Sequence, residues 1–414
     1  MKTILLYEQD SFIKEFSANV LECRPAKEGY YVILDQTGFF PEGGGQTADT
    51  GVLCWDAECS DENLTMDESI DRATDGSGDT YRSIKVVRVL DVQEVDGEIL
   101  HQTDGPLPVG SKIIGTLNWK ERFSKMQHHS GEHIVSGLVH RHFGFNNVGF
   151  HLGSQVVTLD FDGVMTKEQL RQIEWEANEA VAADLPILVT YPTKEELPKL
   201  TYRSKIEIEG QVRIVEIPGY DVCACCAPHL HTTGQIGMIK LVNMQHFRGG
   251  VRVYMLCGFA ALADYNQKED SVRAISQSLS AREDLIADAV EKLKQEIYRQ
   301  KGENMALANA LLEYKVAAVA PGTERAVLIE HGLEGNQPRE LVNKLLDKDV
   351  KVAWVFSGND TDGYRYVVGS RSQDVRVLAK EMNEVLHGRG GGKPEMVQGS
   401  VACKRTEIVS FLHV

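Results

Sequence analysis

Residues 120–142 read KERFSKMQHHSGEHIVSGLVHRH, a segment whose apolar and polar residues recur with helical spacing. On a helix, His129 and His133 stand four residues apart, so both imidazoles project from one face and can chelate one ion. His128, His140 and His142 fall on other azimuths or too far along and read as structural or surface residues. The pattern is not the HExxH of metallopeptidases, because Ser130 follows His129 and the one acid, Glu132, adjoins the second histidine and points away from the ion.

A second pair lies at the same separation in CACCAPHLH, residues 223–231, where Cys225 and His229 bracket a proline-containing turn. Three imidazoles and a thiolate suit a tetrahedral Zn²⁺, and a zinc with an open position can activate water at neutral pH. Spacing alone leaves the choice open among Cys223, Cys225, Cys226, His229 and His231; for the residues not chosen, the reading is a core thiol or a partner that orients a ligand.

Outward from these motifs the chain reads as α+β in four parts. Residues 1–100 alternate in short runs such as YYVILDQ (30–36) and SIKVVRVLDV (83–92), an all-β, barrel-like module. Residues 101–262 mix the histidine helix, a second helix over 167–183, and two strands expected in TYRSKIEIEGQVRIVEI (201–217) around Glu209-Gly210. Residues 263–319 carry no proline, and Ile275, Leu279, Ile286, Ala289, Leu293 and Ile297 approach a heptad seam broken at Arg282. One helix of about 50 residues would reach ~75 Å; an ordinary packed helix pair and an extended or dimerising arm are equally open. Residues 320–414 follow a βαββα order, a small separate α/β domain ending in the loop 387–394.

Charge and cysteine content bound the function. The 414 residues carry a net charge of -16, which taken alone argues against a nucleic-acid partner. Half of that deficit sits in residues 55–81, with nine acids and one base, read as a solvated insertion or hairpin tip; residues 320–414 are neutral. The eight cysteines are too sparse for a secreted disulfide scaffold, and three of them crowd into residues 223–226, which fits metal binding in a reducing compartment. No apolar run approaches the roughly 18 residues of a membrane span and the start lacks a signal-peptide core, so the expectation is a cytoplasmic chain.

The chain also carries two glycine-rich segments. Asp35 to Gln46 joins a strand end to Gly43-Gly44-Gly45, with Thr37 and Gln46 offering orientable polar groups; it reads as a tight turn or a ligand-approach loop. Gly388 to Lys393 reads as a flexible loop whose Arg389 and Lys393 suit phosphate, though it lacks P-loop spacing.

Taken in order, GFFPEGGGQTADTG (38–51), HHSGEH (128–133), CCAPHLHTTGQIG (225–237) and HGRGGGKPEMVQGS (387–400) resemble the free-standing alanyl-tRNA editing proteins of the long type. These are similar to the editing and C-terminal parts of alanyl-tRNA synthetase. The resemblance spans nearly the whole chain and implies a zinc-dependent deacylase of mischarged tRNA(Ala), carrying mainly serine and also glycine. It implies His129, His133, Cys225 and His229 as ligands, with Thr233-Gly234 at the family's distance from His229 selecting Cys225. This chain departs from the usual CGGTH in reading CCAPH. Thr37 would correspond to the family's sensor of the serine hydroxyl, Gln46 joins it as a catalytic candidate, and the tail resembles the DHH-associated module, with Arg389 and Lys393 expected on tRNA. A homodimer through the long helix or the C-terminal domain is a further expectation. The competing readings are an editing deacylase for another misacylated tRNA and a non-enzymatic RNA-binding protein with a structural zinc.

Overall fold

The computed structural model describes residues 2–55, 85–153, 156–204 and 211–413. It divides into two compact units, residues 1–272 and 273–414. In the first, six strands close a barrel in the order Glu15–Pro25, Tyr30–Leu34, Glu98–Thr103, Lys85–Val95, Gly51–Trp55, Lys112–Leu117. Closure requires the last strand to return to the first, and Glu15–Asn19 pairs antiparallel with Lys112–Thr116. The barrel therefore runs past residue 100, to Leu117. Alternation does the rest: Phe16, Ala18 and Val20 point inward and pack with Val32, Leu34, Leu53, Val89 and Ile113. The acids expected on a solvated insertion or hairpin tip lie within 56–84, outside the described residues, between two strands that pair antiparallel at Trp55 and Lys85.

The histidine-bearing segment forms helix α1, Trp119–Phe143, ended by Gly144 in the left-handed conformation. It packs with a four-stranded antiparallel sheet ordered Ile239–Phe247, Gly250–Cys257, Val157–Phe161, Asn147–Leu152, and with helix α2, Lys167–Ala182, which opens on a capping box at Thr166 and Gln169. A three-stranded sheet of Leu188–Thr190, Ile214–Ile217 and Asp221–Ala224 completes this unit. Of the two strands expected over 201–217, Ile214–Ile217 forms; residues 205–210 lie outside the described residues, and Arg203 makes an isolated bridge to Cys223.

Helix α1 is buried from Met126 to Val139 although much of it is polar. Its first turns are bolted to the glycine-rich segment. Arg122 donates from Nε to Asp49 Oδ2 at 2.8 Å and from its terminal nitrogens to Gly38 O at 2.7 Å and Ser11 O at 3.1 Å, while Lys125 Nζ donates to Ala48 O at 2.6 Å.

Of the two readings left open for residues 263–319, two helices form and not one long one. Helix α3, Gly258–Leu279, stops where Ser280 takes a φ of 48°, and helix α4, Ile286–Ala317, begins after a 3-10 turn at Glu283–Leu285. Ser280 N–H donates to Gln277 O and Ala281 N–H to Ser276 O, the paired bonds of a Schellman ending, so the last carbonyls are satisfied without a glycine.

The second unit extends the expected βαββα order by a hairpin and a helix. Its sheet runs Arg325–Glu330, Val352–Asn359, Gly363–Gly369, Met396–Val401, Arg389–Lys393, with helices α5 (Gln337–Asp347), α6 (Val375–Val385) and α7 (Arg405–Leu412). Residues 389–393 are thus an exposed edge strand, not the flexible loop expected: ladder bonds to Met396–Val401 override the low strand propensity of glycine. No helix among the described residues is long and apolar enough to cross a membrane.

The ion pair between Arg122 and Asp49 is wholly buried, so Arg122→Met leaves Asp49 without its charge partner. Urea unfolding should then show a loss of about 3–5 kcal/mol.

Candidate metal centre

Four side chains from two distant stretches converge. The ligand atoms of His129, His133, Cys225 and His229 all lie within 4.8 Å of one another. His129 and His133 come from one face of α1; Cys225 and His229 come from the loop that follows strand Asp221–Ala224. That loop is held at three points. Arg213 donates to the carbonyls of Cys225 (2.7 Å) and Ala227 (3.0 Å), Ser11 Oγ donates to His229 O at 2.7 Å, and Leu230 N–H donates to Ser130 Oγ at 3.3 Å.

The electrostatics suit a cation. Burial raises the Cys225 thiol, but the surrounding imidazoles of His129, His229 and His133 outweigh it and hold the thiol well below its ordinary value. Burial pushes His229 down to about 3, keeping its imidazole neutral. For His133, burial lowers the pKa, but the bond to Asp221 and the neighbouring Cys225 outweigh it and raise it. Among the described residues, His133 Nε2 and both nitrogens of His229 are buried and make no hydrogen bond of ordinary geometry. Orphaned imidazole nitrogens facing a low-pKa thiol fit a bound metal ion, whose coordination would satisfy them.

Each α1 ligand has an orienting partner on its other nitrogen. His133 Nδ1 donates to Asp221 Oδ2 at 2.8 Å, and Arg203 grips Asp221 with two bonds of 2.7 Å. Gly137 makes this approach possible, since a Cβ there would stand 2.2 Å from Tyr220 O and 2.9 Å from Asp221 Cβ. His129 Nδ1 lies 3.0 Å from Gln46 Oε1. Gln46 is delivered by a tight turn in which Gly43 and Gln46 exchange both backbone bonds at 3.0 Å, with Gly44 and Gly45 at φ of 61° and 85°.

The remaining candidates fall elsewhere. Cys223 is buried beside His133 and Asp221, Cys226 is exposed near Gly44, and His231 is exposed and stacked on Phe12 at 4.1 Å. Glu132 accepts from Ser136 and Asn147. His128 Nδ1 bonds Ser124 O, and His142 bonds Glu176. Thr37 is fully buried; its hydroxyl bonds His101 Nε2 at 2.8 Å and accepts from Phe39 N–H at 3.1 Å, and none of these bonds reaches the four ligands. Arg389 and Lys393 are exposed on the edge strand of the second unit. Sequence reading misses Asp221, Arg203, Arg122 and His101, whose partners lie 18 to 88 positions away. An acid two residues before the cysteine cluster is the one local signal.

The domain family described as the threonyl and alanyl tRNA synthetase second additional domain matches residues 212–274, and the DHHA1 domain matches 314–412. The chain is thus an α+β protein that carries these two domain types, with a cluster in its first unit able to hold a metal. Over nearly its whole length the chain is similar to the alanyl-tRNA editing protein AlaX-L of Pyrococcus horikoshii, 24% identical over 97% of this chain and 96% of that protein. It is likewise similar to the alanine–tRNA ligases of Ignicoccus hospitalis (28% identical over 98% of this chain) and Pyrococcus abyssi (29% over 97%), spanning 42% of the length of each. Among solved structures, the C-Ala domain of the Aquifex aeolicus alanyl-tRNA synthetase is 23% identical over 23% of this chain and 91% of that chain, with a TM-score of 0.20. The chain thus resembles the long-type alanyl-tRNA editing proteins and, over part of their length, the alanine–tRNA ligases.

If Asp221 orients His133 toward a metal, Asp221→Asn lowers metal affinity about 10–100-fold. Competition against a chelator of known affinity measures it; unchanged affinity contradicts that role.

Proposed function

We propose that the chain is a zinc-dependent aminoacyl-tRNA deacylase that hydrolyses the ester of serine or glycine mischarged on tRNA(Ala), acting in trans in the cytoplasm as a check on translation. The observation that carries this reading is the buried quartet of His129, His133, Cys225 and His229 in a chain similar end to end to an alanyl-tRNA editing protein. The three-nitrogen, one-sulfur donor set favours zinc over harder cations. Zinc held there would act as a Lewis acid on the ester and on its attacking water.

This chain's own residues supply position and selectivity. Asp221 and Gln46 fix the two helix histidines, and Cys225 is the one ligand not fully buried, which gives substrate a side to approach from. Selection of serine over alanine cannot come from excluding size, since alanine is smaller; it needs a polar contact to the hydroxyl. Thr37 is suited to that contact in one sense only. His101 Nδ1 lies 3.0 Å from Val32 O, which can only accept, so that nitrogen carries the proton. Burial lowers His101 to about 4, so the ring is neutral and Nε2 is an acceptor. Thr37 therefore donates its proton to His101 and accepts from Phe39 N–H, leaving one lone pair for a donor such as a seryl hydroxyl. In the second unit, Arg389 and Lys393 would meet tRNA phosphates, on the strand whose glycines line a groove of about 340 Å³ together with Arg376 and Lys380.

Deacylation of Ser-tRNA(Ala), Gly-tRNA(Ala) and Ala-tRNA(Ala) with and without chelator tests the reading. Zinc-dependent release of serine and glycine, lost in Cys225→Ala, is expected; no release from any of the three overturns it. Ser-tRNA(Thr) cleaved equally fast would instead favour an editing enzyme for another tRNA. In Thr37→Val, discrimination between Ser-tRNA(Ala) and Ala-tRNA(Ala) should fall about tenfold, the worth of one hydrogen bond, and an unchanged ratio would remove Thr37 from the specificity site.

A further inference from the structure

One buried donor beside the metal ligands has no partner. Gln46 is 1% exposed, its Oε1 lies 3.0 Å from His129 Nδ1, and its Nε2 makes no hydrogen bond among the described residues. The orientation of this carboxamide follows from chemistry. His129 Nε2 is the nitrogen that faces the quartet, 3.3 Å from Cys225 Sγ, so the ring proton belongs on Nδ1 when Nε2 is a ligand. An Nδ1–H needs an acceptor, which sets the Gln46 oxygen against His129 and leaves the NH₂ as a pair of unused donors. The side chain is rigidly held as well. Both backbone bonds of Gln46 are spent on Gly43, and Gly45 O accepts from Leu152 N–H at 3.1 Å, tying the turn to the sheet.

Leaving a buried amide donor unpaired is destabilising. Such a group is retained at a reactive centre when an acceptor arrives with substrate. Of the groups on an aminoacyl ester, the α-ammonium is itself a donor, and the carbonyl oxygen is the acceptor on which negative charge develops as water adds. Side-chain amides of this kind form oxyanion holes.

We propose that the Gln46 carboxamide acts at both ends: its oxygen holds His129, and its N–H donates to the carbonyl oxygen of the aminoacyl ester, making Gln46 a catalytic residue. The inference rests on the deacylase reading. In the step concerned, a water oxygen bonds to the carbonyl carbon and the π pair moves onto the carbonyl oxygen, where the Gln46 N–H receives it. The pair then returns, the bond to the ribose oxygen breaks, one water proton ends on the ribose hydroxyl, and the acid product releases the other to solvent.

The test compares the full-length zinc-loaded wild type with Gln46→Glu and Gln46→Met. Glutamate keeps an acceptor for His129 but has no N–H; methionine has neither. Three readouts are taken: zinc affinity by chelator competition, kcat and KM on Ser-tRNA(Ala), and affinity for an unreactive 3′-serylamido-adenosine, whose amide carbonyl offers the same acceptor. Gln46→Glu should keep zinc affinity within about threefold, lose 10²–10³ in kcat with little change in KM, and bind the analogue more weakly. Gln46→Met should lose zinc affinity as well. Wild-type kcat and analogue affinity in Gln46→Glu overturn the proposal, as does a rate loss explained wholly by lost zinc. If wild type binds zinc but cleaves no tRNA(Ala) ester, the deacylase reading fails first and this inference falls with it.

Discussion

Three imidazoles and a low-pKa thiol share a space in which no two ligand atoms are more than 4.8 Å apart, and three of the four residues are buried. Without a cation this arrangement leaves the inward nitrogens of His133 and His229 orphaned, which protein interiors rarely tolerate. Much of the first unit can be understood as what is needed to keep that cluster assembled. Asp221, fixed by Arg203, and Gln46, fixed by its glycine turn, lock two of the rings from behind; Arg213 and Ser11 hold the loop that carries the other two ligands.

Helix α1 joins these requirements. A helix buried through its middle turns is normally apolar, yet this one spends its polar residues on specific partners: Arg122 and Lys125 on the glycine-rich segment, Glu132 on Ser136 and Asn147, His129 and His133 on the cluster. The same helix therefore positions both the metal ligands and the turn that brings Gln46 to them. A change in how the barrel's glycine segment seats on α1 would be felt at His129.

The sequence is most legible where a motif is local. Two histidines four apart on a helix predict their shared face directly, and the apolar run in YYVILDQ marks a strand, Tyr30–Leu34, though its last three residues are all buried and do not alternate. Cys225 and His229 are readable as a pair, but they sit on a loop, so spacing could not separate them from Cys223, Cys226 or His231; contacts from Arg213 and from Ser11, the latter 218 positions from His229, hold the geometry. Asp221 and His101 act on His133 and Thr37 across 88 and 64 positions, a separation that no local pattern encodes. The break at Ser280 carries no glycine or proline to announce it, and the glycines of 389–393 look like a loop until a neighbouring strand pairs with them.

The net charge of -16 looked unfavourable for an RNA partner. Half of it falls on residues 55–81, while the second unit is neutral and exposes Arg389 and Lys393 on its edge. The metal centre remains the claim on which the rest depends. Zinc K-edge X-ray absorption on the purified full-length chain tests it most directly. The account predicts one zinc per chain with a single sulfur neighbour at ~2.3 Å and nitrogen neighbours at ~2.0–2.1 Å, the sulfur disappearing in Cys225→Ala. A protein that binds no zinc, or a shell of oxygen alone or of two or more sulfurs, would contradict it.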